Sequence, residues 1–280
     1  MKEFIYISLL SILLFSCQVE DFELNNLNGN RIDALGHGGM GISNLYPSNS
    51  AESILNCLYL GATGTEIDIQ MTSDGVLVLF HDEELGGSTN LEGLIHEHTW
   101  DEIKDGVYDE IPYSAYKIIR FDDFLELTHN HSDYIFTLDT KLYTESTDYY
   151  SYIDEFSDAI VDVFNEFNLH NHVYVESQST VFLELLQDKA SNIDLYIYPQ
   201  TFEEGLADAI EFNLKGITIS TNEINKEQVK EAHDLGFFVT IWGVISKEEN
   251  IEAIHKNPDM IQTDKIEYLV ELLEEQDLIN

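Results

Sequence analysis

Residues 65–82, TEIDIQMTSDGVLVLFHD, decide the fold of this chain. Two runs rich in Ile, Val, Leu and Phe flank a Ser-Asp-Gly turn at 73–75, which predicts a strand, a tight turn and a returning strand. In the first run Glu66 and Asp68 alternate with isoleucines, so the period of two places both carboxylates on one face, about 7 Å apart. Such paired acids repel each other unless a cation lies between them. The second run ends at His81, which the hairpin brings back towards these acids.

Two further strands end in chemically active side chains. Taken alone, the paired acids also fit the polar face of a half-exposed sheet. However, residues 32–39, IDALGHGG, predict a short apolar strand that ends in His37 within a glycine cluster, and glycine lets a backbone approach a ligand closely. Residues 134–141, YIFTLDTK, predict a strand that ends in Asp139 and Lys141, at positions of the same alternating parity. Three strands therefore end in functional groups.

The order and spacing of these motifs resemble the glycerophosphodiester phosphodiesterase family. Its motifs are a histidine-glycine turn, E-x-D, H-D and an acid-x-lysine strand, and the stretches 175–177, 239–242 and 260–264 fit its later strands. The resemblance covers roughly residues 33–272, and a linked set of motifs is more specific than any one of them. It implies an enzyme that hydrolyses glycerophosphodiesters to an alcohol and sn-glycerol 3-phosphate.

The resemblance also implies a cation site. Glu66, Asp68 and Asp139 are expected to bind one divalent cation. Three carboxylates form an oxygen-rich site that suits Mg²⁺ or Ca²⁺ and suits structural zinc poorly. Such a cation would neutralise the substrate phosphate and lower the pKa of the attacking hydroxyl or water.

Four other side chains receive roles from the same resemblance. His37 and His81 correspond to the catalytic acid and base of the family, and near-neutral imidazole pKa values suit both tasks. The sequence does not decide which histidine is the acid and which is the base. Lys141 is expected to contact the phosphate, and Trp242 to line the glycerol pocket with its apolar face.

The chain departs from the family pattern at three places. Gly38 stands where the family usually has an arginine, which removes a bidentate phosphate clamp that a lysine does not replace geometrically. Asp139 stands where glutamate is usual, and residues 243–245 replace the usual polar residues after Trp242. These departures leave three alternatives open: another diester as substrate, a phospholipase-like or sphingomyelinase-like enzyme, or a surface lipoprotein that binds a ligand without catalysis.

Apolar segments alternate with helical patterns along the whole chain. Eight strands are predicted, which begin or lie at Ile32, Thr65, Tyr134, 173–175, 195–198, 216–220, 237–242 and 260–262. This alternation predicts a (β/α)8 TIM barrel, whose active sites lie at the carboxyl ends of the strands. The strand at 76–80 is then an extra hairpin arm after the second barrel strand. Residues 84–116 are predicted to form an active-site lid with a short helix at 100–104.

The chain carries 53 acidic and 13 basic residues, a formal net charge of −40. This balance excludes a large electropositive surface for nucleic acid or anionic lipid headgroups. Most of the acidity fits a solvated surface. A small phosphodiester substrate must therefore meet local positive charge within its site.

The first 17 residues, MKEFIYISLLSILLFSC, predict a lipoprotein signal peptide. The apolar run at 4–15 is too short to span a bilayer, and LFSC resembles a bacterial lipobox with Cys17 as the lipidated residue. The alternatives are an ordinary cleaved signal and a buried N-terminal helix. Residues 18–30 predict a flexible acidic tether, and 31–280 a single barrel domain. The protein is thus expected to be anchored in the membrane of a bacterial cell envelope, at the outer membrane or cell surface.

Lipidation gives a direct test of the leader. Metabolic labelling with a fatty acid is expected to mark the wild-type protein and not Cys17→Ala, because the thioether forms on that sulfur. Cys57→Ala keeps Cys17 and is the matched control. An unlabelled wild-type protein would contradict the prediction.

Overall fold

Eight parallel strands close into a barrel in the computed structural model of this chain, which describes residues 22–42, 45–109, 113–144 and 148–280. The strands of these residues are β1 (Asp33–Gly36), β2 (Gly64–Met71), β3 (Leu77–Leu79), β4 (Ile119–Arg120), β5 (Ile135–Thr140), β6 (Val173–Ser177), β7 (Asp194–Ile197), β8 (Gly216–Ser220), β9 (Phe238–Val244) and β10 (Met260–Thr263). Strand β1 pairs in parallel with both β2 and β10, which closes the ring β1-β2-β5-β6-β7-β8-β9-β10. The predicted (β/α)8 TIM barrel is confirmed.

Helices follow the barrel strands. The α-helices of the described residues are α1 (Ala51–Tyr59), α2 (Trp100–Ile103), α3 (Phe121–Leu127), α4 (Tyr149–Phe167), α5 (Thr180–Lys189), α6 (Phe202–Glu211), α7 (Lys226–Asp234), α8 (Lys247–Lys256) and α9 (Ile266–Glu274). Ser50, Ser179 and Thr201 begin α1, α5 and α6, and their hydroxyls accept a backbone N–H of the first turn. None of these helices combines the length and the apolar character that a membrane crossing requires.

The register of β2 and β5 positions the predicted site. Glu66 lies opposite Thr137, and Asp68 lies opposite Asp139. All eight residues of β2 are buried, because helices cover the outside of the barrel and side chains fill its inside. Two strands that are far apart in sequence thus place their acids side by side at the same end of the barrel.

The hairpin arm is larger than the sequence predicts. Strand β3 pairs antiparallel with β2, as expected, and the two-residue strand β4 then pairs with β3. The sequence does not predict β4, because a strand of two residues is too short to show alternation of apolar and polar side chains. The segment between β3 and β4 has a small core of its own, formed by Val78, Phe80, Leu85, Ile95, Ile103, Tyr108 and Ile118. The predicted lid therefore folds around buried side chains, and its short helix is α2.

The segment before β1 packs against the end of the barrel opposite the predicted site. Phe22 is buried, and the backbone N–H of Leu27 donates to the Asp259 carboxylate at 2.8 Å. The Asn26 side-chain amide donates to the carbonyl of Pro258 at 2.7 Å. The tether predicted for 18–30 is therefore ordered from Phe22 onward, because its asparagines satisfy backbone groups of the barrel. The predicted signal peptide with Cys17, and residues 18–21, lie outside the described residues.

Candidate active site

Three buried carboxylates meet at the carboxyl end of the barrel. Glu66 and Asp68 project from β2 and Asp139 from β5, and one oxygen of each lies within 4.8 Å of the others. All three side chains are almost fully buried. The structure thus brings together the three residues expected to bind a cation, and we call them the carboxylate trio.

The loop between β1 and α1 orients two members of the trio. The backbone N–H of Gly38 donates to Glu66 Oε2 at 2.9 Å. The Asn49 side chain donates to Asp68 Oδ2 at 2.6 Å and accepts from the Asp68 backbone N–H at 2.9 Å. These bonds fix both carboxylates in position without adding a positive charge.

Lys141 bridges two members of the trio. Its Nζ lies 2.9 Å from Asp68 Oδ1 and 2.6 Å from Asp139 Oδ2. Burial opposes ionisation of Asp68, but Lys141 and His81 hold its pKa below the ordinary value. The two acids, in turn, raise the pKa of Lys141 despite its burial. The lysine expected to contact phosphate therefore lies between the acids of this site.

The other two acids of the trio lack a full positive counter-charge for their ionised forms. Burial and repulsion from Asp68 raise the pKa of Glu66 well above its ordinary value. Burial likewise raises the pKa of Asp139, with Asp68 adding to the shift and Lys141 opposing it. Because oxygen donors and uncompensated negative charge are what a hard divalent cation requires, the trio fits such an ion.

The two predicted catalytic histidines line one cavity. His37 follows β1 and His81 follows β3, and both border a cavity of about 350 Å³. His37 Nδ1 lies 2.8 Å from Asp264 Oδ1, and His81 Nδ1 lies 2.9 Å from Asp82 Oδ1. Burial opposes protonation of His37, but the bond to Asp264 and the charges of Glu66 and Asp264 raise its pKa to about 9. Each ring is held through Nδ1, which leaves Nε2 as the nitrogen that can serve a substrate.

Trp242 lies at the carboxyl end of β9 and contacts Tyr198, with ring centroids 5.1 Å apart. Burial, followed by the charge of Asp139, raises the pKa of Tyr198, so this aromatic pair is electrostatically coupled to the trio. The Trp242 indole nitrogen is buried and has no hydrogen-bond partner among the described residues.

Three residues of the site were missed from the sequence. Glu176 at the end of β6 is buried, and its carboxylate accepts hydrogen bonds from Thr218 at 2.7 Å and from Gln262 at 3.0 Å. Burial and the charge of Asp139 raise the pKa of Glu176 to about 7. Asp264 directly follows β10, so the rule that strand ends carry chemistry could have found both acids. Asn49 precedes α1 and gives no comparable signal, because only the fold brings it to Asp68.

Gly38 is an unfavourable position for the arginine that the family usually has. Its φ is +56°, in the left-handed region, and a Cβ added there would lie 1.8 Å from Ser48 Oγ. The same backbone conformation directs its N–H at Glu66. The local backbone conformation therefore disfavours an arginine at position 38.

Restoring the arginine is expected to destabilise the protein rather than improve phosphate binding. Gly38→Arg should lower the free energy of unfolding by about 2 kcal/mol or more, measured by urea unfolding, because left-handed strain and the clash with Ser48 add. Gly75 also has a left-handed φ, of +80°, but open space around it, so Gly75→Ala is the matched control for strain alone. A Gly38→Arg protein that is as stable as wild type, with a lower KM, would contradict this account.

Comparisons with known proteins agree with this geometry. Residues 40–268 match the sequence model of the glycerophosphoryl diester phosphodiesterase family. A glycerophosphodiester phosphodiesterase of Caldanaerobacter subterraneus subsp. tengcongensis is 26% identical over 240 residues, which cover 83% of this chain and 95% of that protein. One of Bacillus altitudinis is 30% identical over 162 residues, which cover 56% of this chain and 63% of that protein, less than two thirds of its length.

A solved structure shares the fold of this chain. The solved structure of an Oleispira antarctica phosphodiesterase in complex with the product sn-glycerol-3-phosphate matches with a TM-score of 0.74 at 18% identity, over 87% of this chain and 97% of that chain. At this identity the match shows the shared fold alone, whereas the family match spans most of the sequence. The chain therefore belongs to the glycerophosphoryl diester phosphodiesterase family.

Proposed function

We propose that this protein hydrolyses glycerophosphodiesters to an alcohol and sn-glycerol 3-phosphate. The observation that carries the proposal is the placement of His37 and His81 on one cavity, each ring held by its own carboxylate, at the end of the barrel that holds the carboxylate trio. The named relatives and the product complex of the Oleispira antarctica phosphodiesterase support the same reaction class.

The trio is the proposed site of one divalent cation, Mg²⁺ or Ca²⁺. Glu66, Asp68 and Asp139 would hold it through carboxylate oxygens. When bound, such an ion neutralises phosphate charge and lowers the pKa of a hydroxyl or water that attacks phosphorus. Lys141 is the proposed phosphate contact from the protein, and Trp242 the proposed wall of the glycerol pocket.

The histidines are the proposed proton carriers. As the P–O bond to the alcohol breaks, the attacking oxygen bonds to phosphorus. Water gives sn-glycerol 3-phosphate directly, whereas the neighbouring glycerol hydroxyl gives a cyclic phosphodiester, whose ring P–O bond is then broken by water in a second step. One histidine takes the proton of the attacking group, and the other gives a proton to the alcohol oxygen. Asp264 and Asp82 hold the two rings in the orientation that these transfers need, and which ring acts first as acid stays open.

Cation binding should be visible as a gain in stability that depends on pH. Mg²⁺ or Ca²⁺ at 100 times its Kd should raise the free energy of unfolding by about 2.7 kcal/mol, measured by thermal unfolding. The gain should shrink as pH falls, because the raised pKa values of Glu66 and Asp139 mean that protons then compete with the cation. Glu66→Ala should lose the gain, whereas Glu231→Ala on the exposed face of α7 should keep it. An equal gain in Glu66→Ala would remove the trio as the site.

The reaction itself is tested by release of sn-glycerol 3-phosphate from glycerophosphocholine and glycerophosphoethanolamine. His37→Ala and His81→Ala should each lower kcat/KM by about 100-fold or more, because each removes a proton carrier. His129→Ala, in an exposed loop, is the matched control and should behave as wild type.

Two other results of this assay would each favour a different function for the protein. A phosphorylated alcohol as the product would favour the phospholipase-like or sphingomyelinase-like enzyme. Binding of either diester without turnover at saturating cation would favour a ligand-binding surface lipoprotein. Membrane anchoring through Cys17 in a bacterial cell envelope remains part of the proposal, and the labelling experiment above tests it.

A further inference from the structure

Two cavities of different character flank the carboxylate trio. The one that both histidines line, of about 350 Å³, we call the aromatic chamber. The other, of about 440 Å³, is lined by Asp139 and Lys141 and by hydroxyl and amide groups such as those of Tyr143, Ser177 and Gln178. A diester whose phosphate lies at the trio has two organic arms, and the cavity lined by the histidines can receive one of them.

Three aromatic rings form walls of the aromatic chamber. Phe80 follows β3, and Tyr108 and Tyr113 come from the lid. Phe80 and Tyr108 are buried in the small core of the lid, with ring centroids 6.2 Å apart and planes at 38°. The chamber thus has aromatic faces held in place by a packed core, and an aromatic face attracts a cation through its quadrupole.

The aromatic chamber includes His37, whose pKa is raised to about 9 and whose positive charge is compensated by the Asp264 carboxylate 2.8 Å away. The chamber lining includes the Asp82 carboxylate and no lysine or arginine among the described residues, whereas Lys141 lines the other cavity. Apart from the histidines and Asp82, the polar side chains of the lining are Ser48, Ser88 and the tyrosine hydroxyls, and Ser88 Oγ already donates to Asp82 at 2.8 Å.

We propose that the aromatic chamber binds the alcohol arm of the substrate and selects alcohols that carry a positively charged nitrogen, quaternary ammonium above all. This inference rests on the proposed function and deepens it by naming the leaving group. The position follows from proton transfer: the leaving oxygen must lie within hydrogen-bond reach of a histidine, and both histidines line this chamber.

Paired substrates test the selectivity. The full chain, with Mg²⁺ or Ca²⁺, is given glycerophosphocholine or glycerophosphoglycerol, which release the same sn-glycerol 3-phosphate but differ in headgroup charge. We expect kcat/KM about tenfold or more higher for the choline diester. Equal or faster cleavage of the neutral diester overturns the inference and leaves the proposed function standing. Cleavage of neither overturns the proposed function, and the inference with it.

A competition experiment tests the site without any substitution. Tetramethylammonium should inhibit hydrolysis of glycerophosphocholine competitively, whereas tert-butanol, a neutral molecule of similar size, should inhibit at least about tenfold more weakly. Equal inhibition by the two would show that size alone is recognised and would overturn the inference.

Ring variants place the effect in the chamber. Tyr113 is half-buried, so its replacement disturbs the core of the lid least. Tyr113→Leu should lower the preference for the choline diester about tenfold, and Tyr113→Phe, which keeps the aromatic face, should retain it. Tyr59→Leu on α1, where the ring is 78% exposed, is the matched control and should leave both activities unchanged. An unchanged preference in Tyr113→Leu, together with equal inhibition by the two small molecules, would overturn the assignment.

Discussion

Burial of four carboxylates against one lysine is the interaction on which the rest of this site depends. Glu66, Asp68, Asp139 and Glu176 lie at the carboxyl ends of three adjacent strands, and among the described residues only Lys141 forms an ion pair with any of them. Buried charge of one sign is costly unless hydrogen bonds or a counter-ion compensate it. Backbone and amide donors provide part of that compensation, and the remaining charge is what makes the trio suitable for a divalent cation.

The same constraint explains the form of the loop after β1. Its glycine cluster lets the Gly38 N–H reach Glu66, and the Asn49 side-chain amide binds Asp68 through both its nitrogen and its oxygen. A Cβ at position 38 would lie 1.8 Å from Ser48 Oγ, so the Ser48 side chain would have to move. The backbone therefore supplies a donor to the trio where the family usually has an arginine side chain, and positive charge for a substrate phosphate is left to Lys141 and to the proposed cation.

The hairpin arm carries both His81 and the aromatic walls of the chamber. The side-chain amide of Gln70 on β2 donates to the carbonyls of Phe80 and Asp82, which fixes the backbone on both sides of His81. The arm continues into the lid, whose small core holds Tyr108 beside Phe80. The arm thus positions the proposed catalytic His81 and forms the aromatic walls of the chamber next to it, without contributing a member of the trio.

Sequence and tertiary structure determined different parts of this protein. The alternation of apolar strands with amphipathic helices was enough for the barrel, and the period of two put Glu66 and Asp68 on one face, because both patterns are local.

Asp139 could be placed with them only through the rule that barrel strands end at one face, and the register of β2 with β5 decides the actual contact. The packing of the segment from Phe22 and the role of Asn49 escaped prediction, because each depends on contacts between residues distant in sequence. Strand β4 escaped it because two residues show no alternation. The sequence by itself determined which chemical groups are present and on which strands they lie. Three features follow from the fold instead: Lys141 pairs with the trio, a side chain at position 38 would meet Ser48, and tyrosines of the lid line the same cavity as the histidines. These depend on packing between distant segments, which no local pattern encodes.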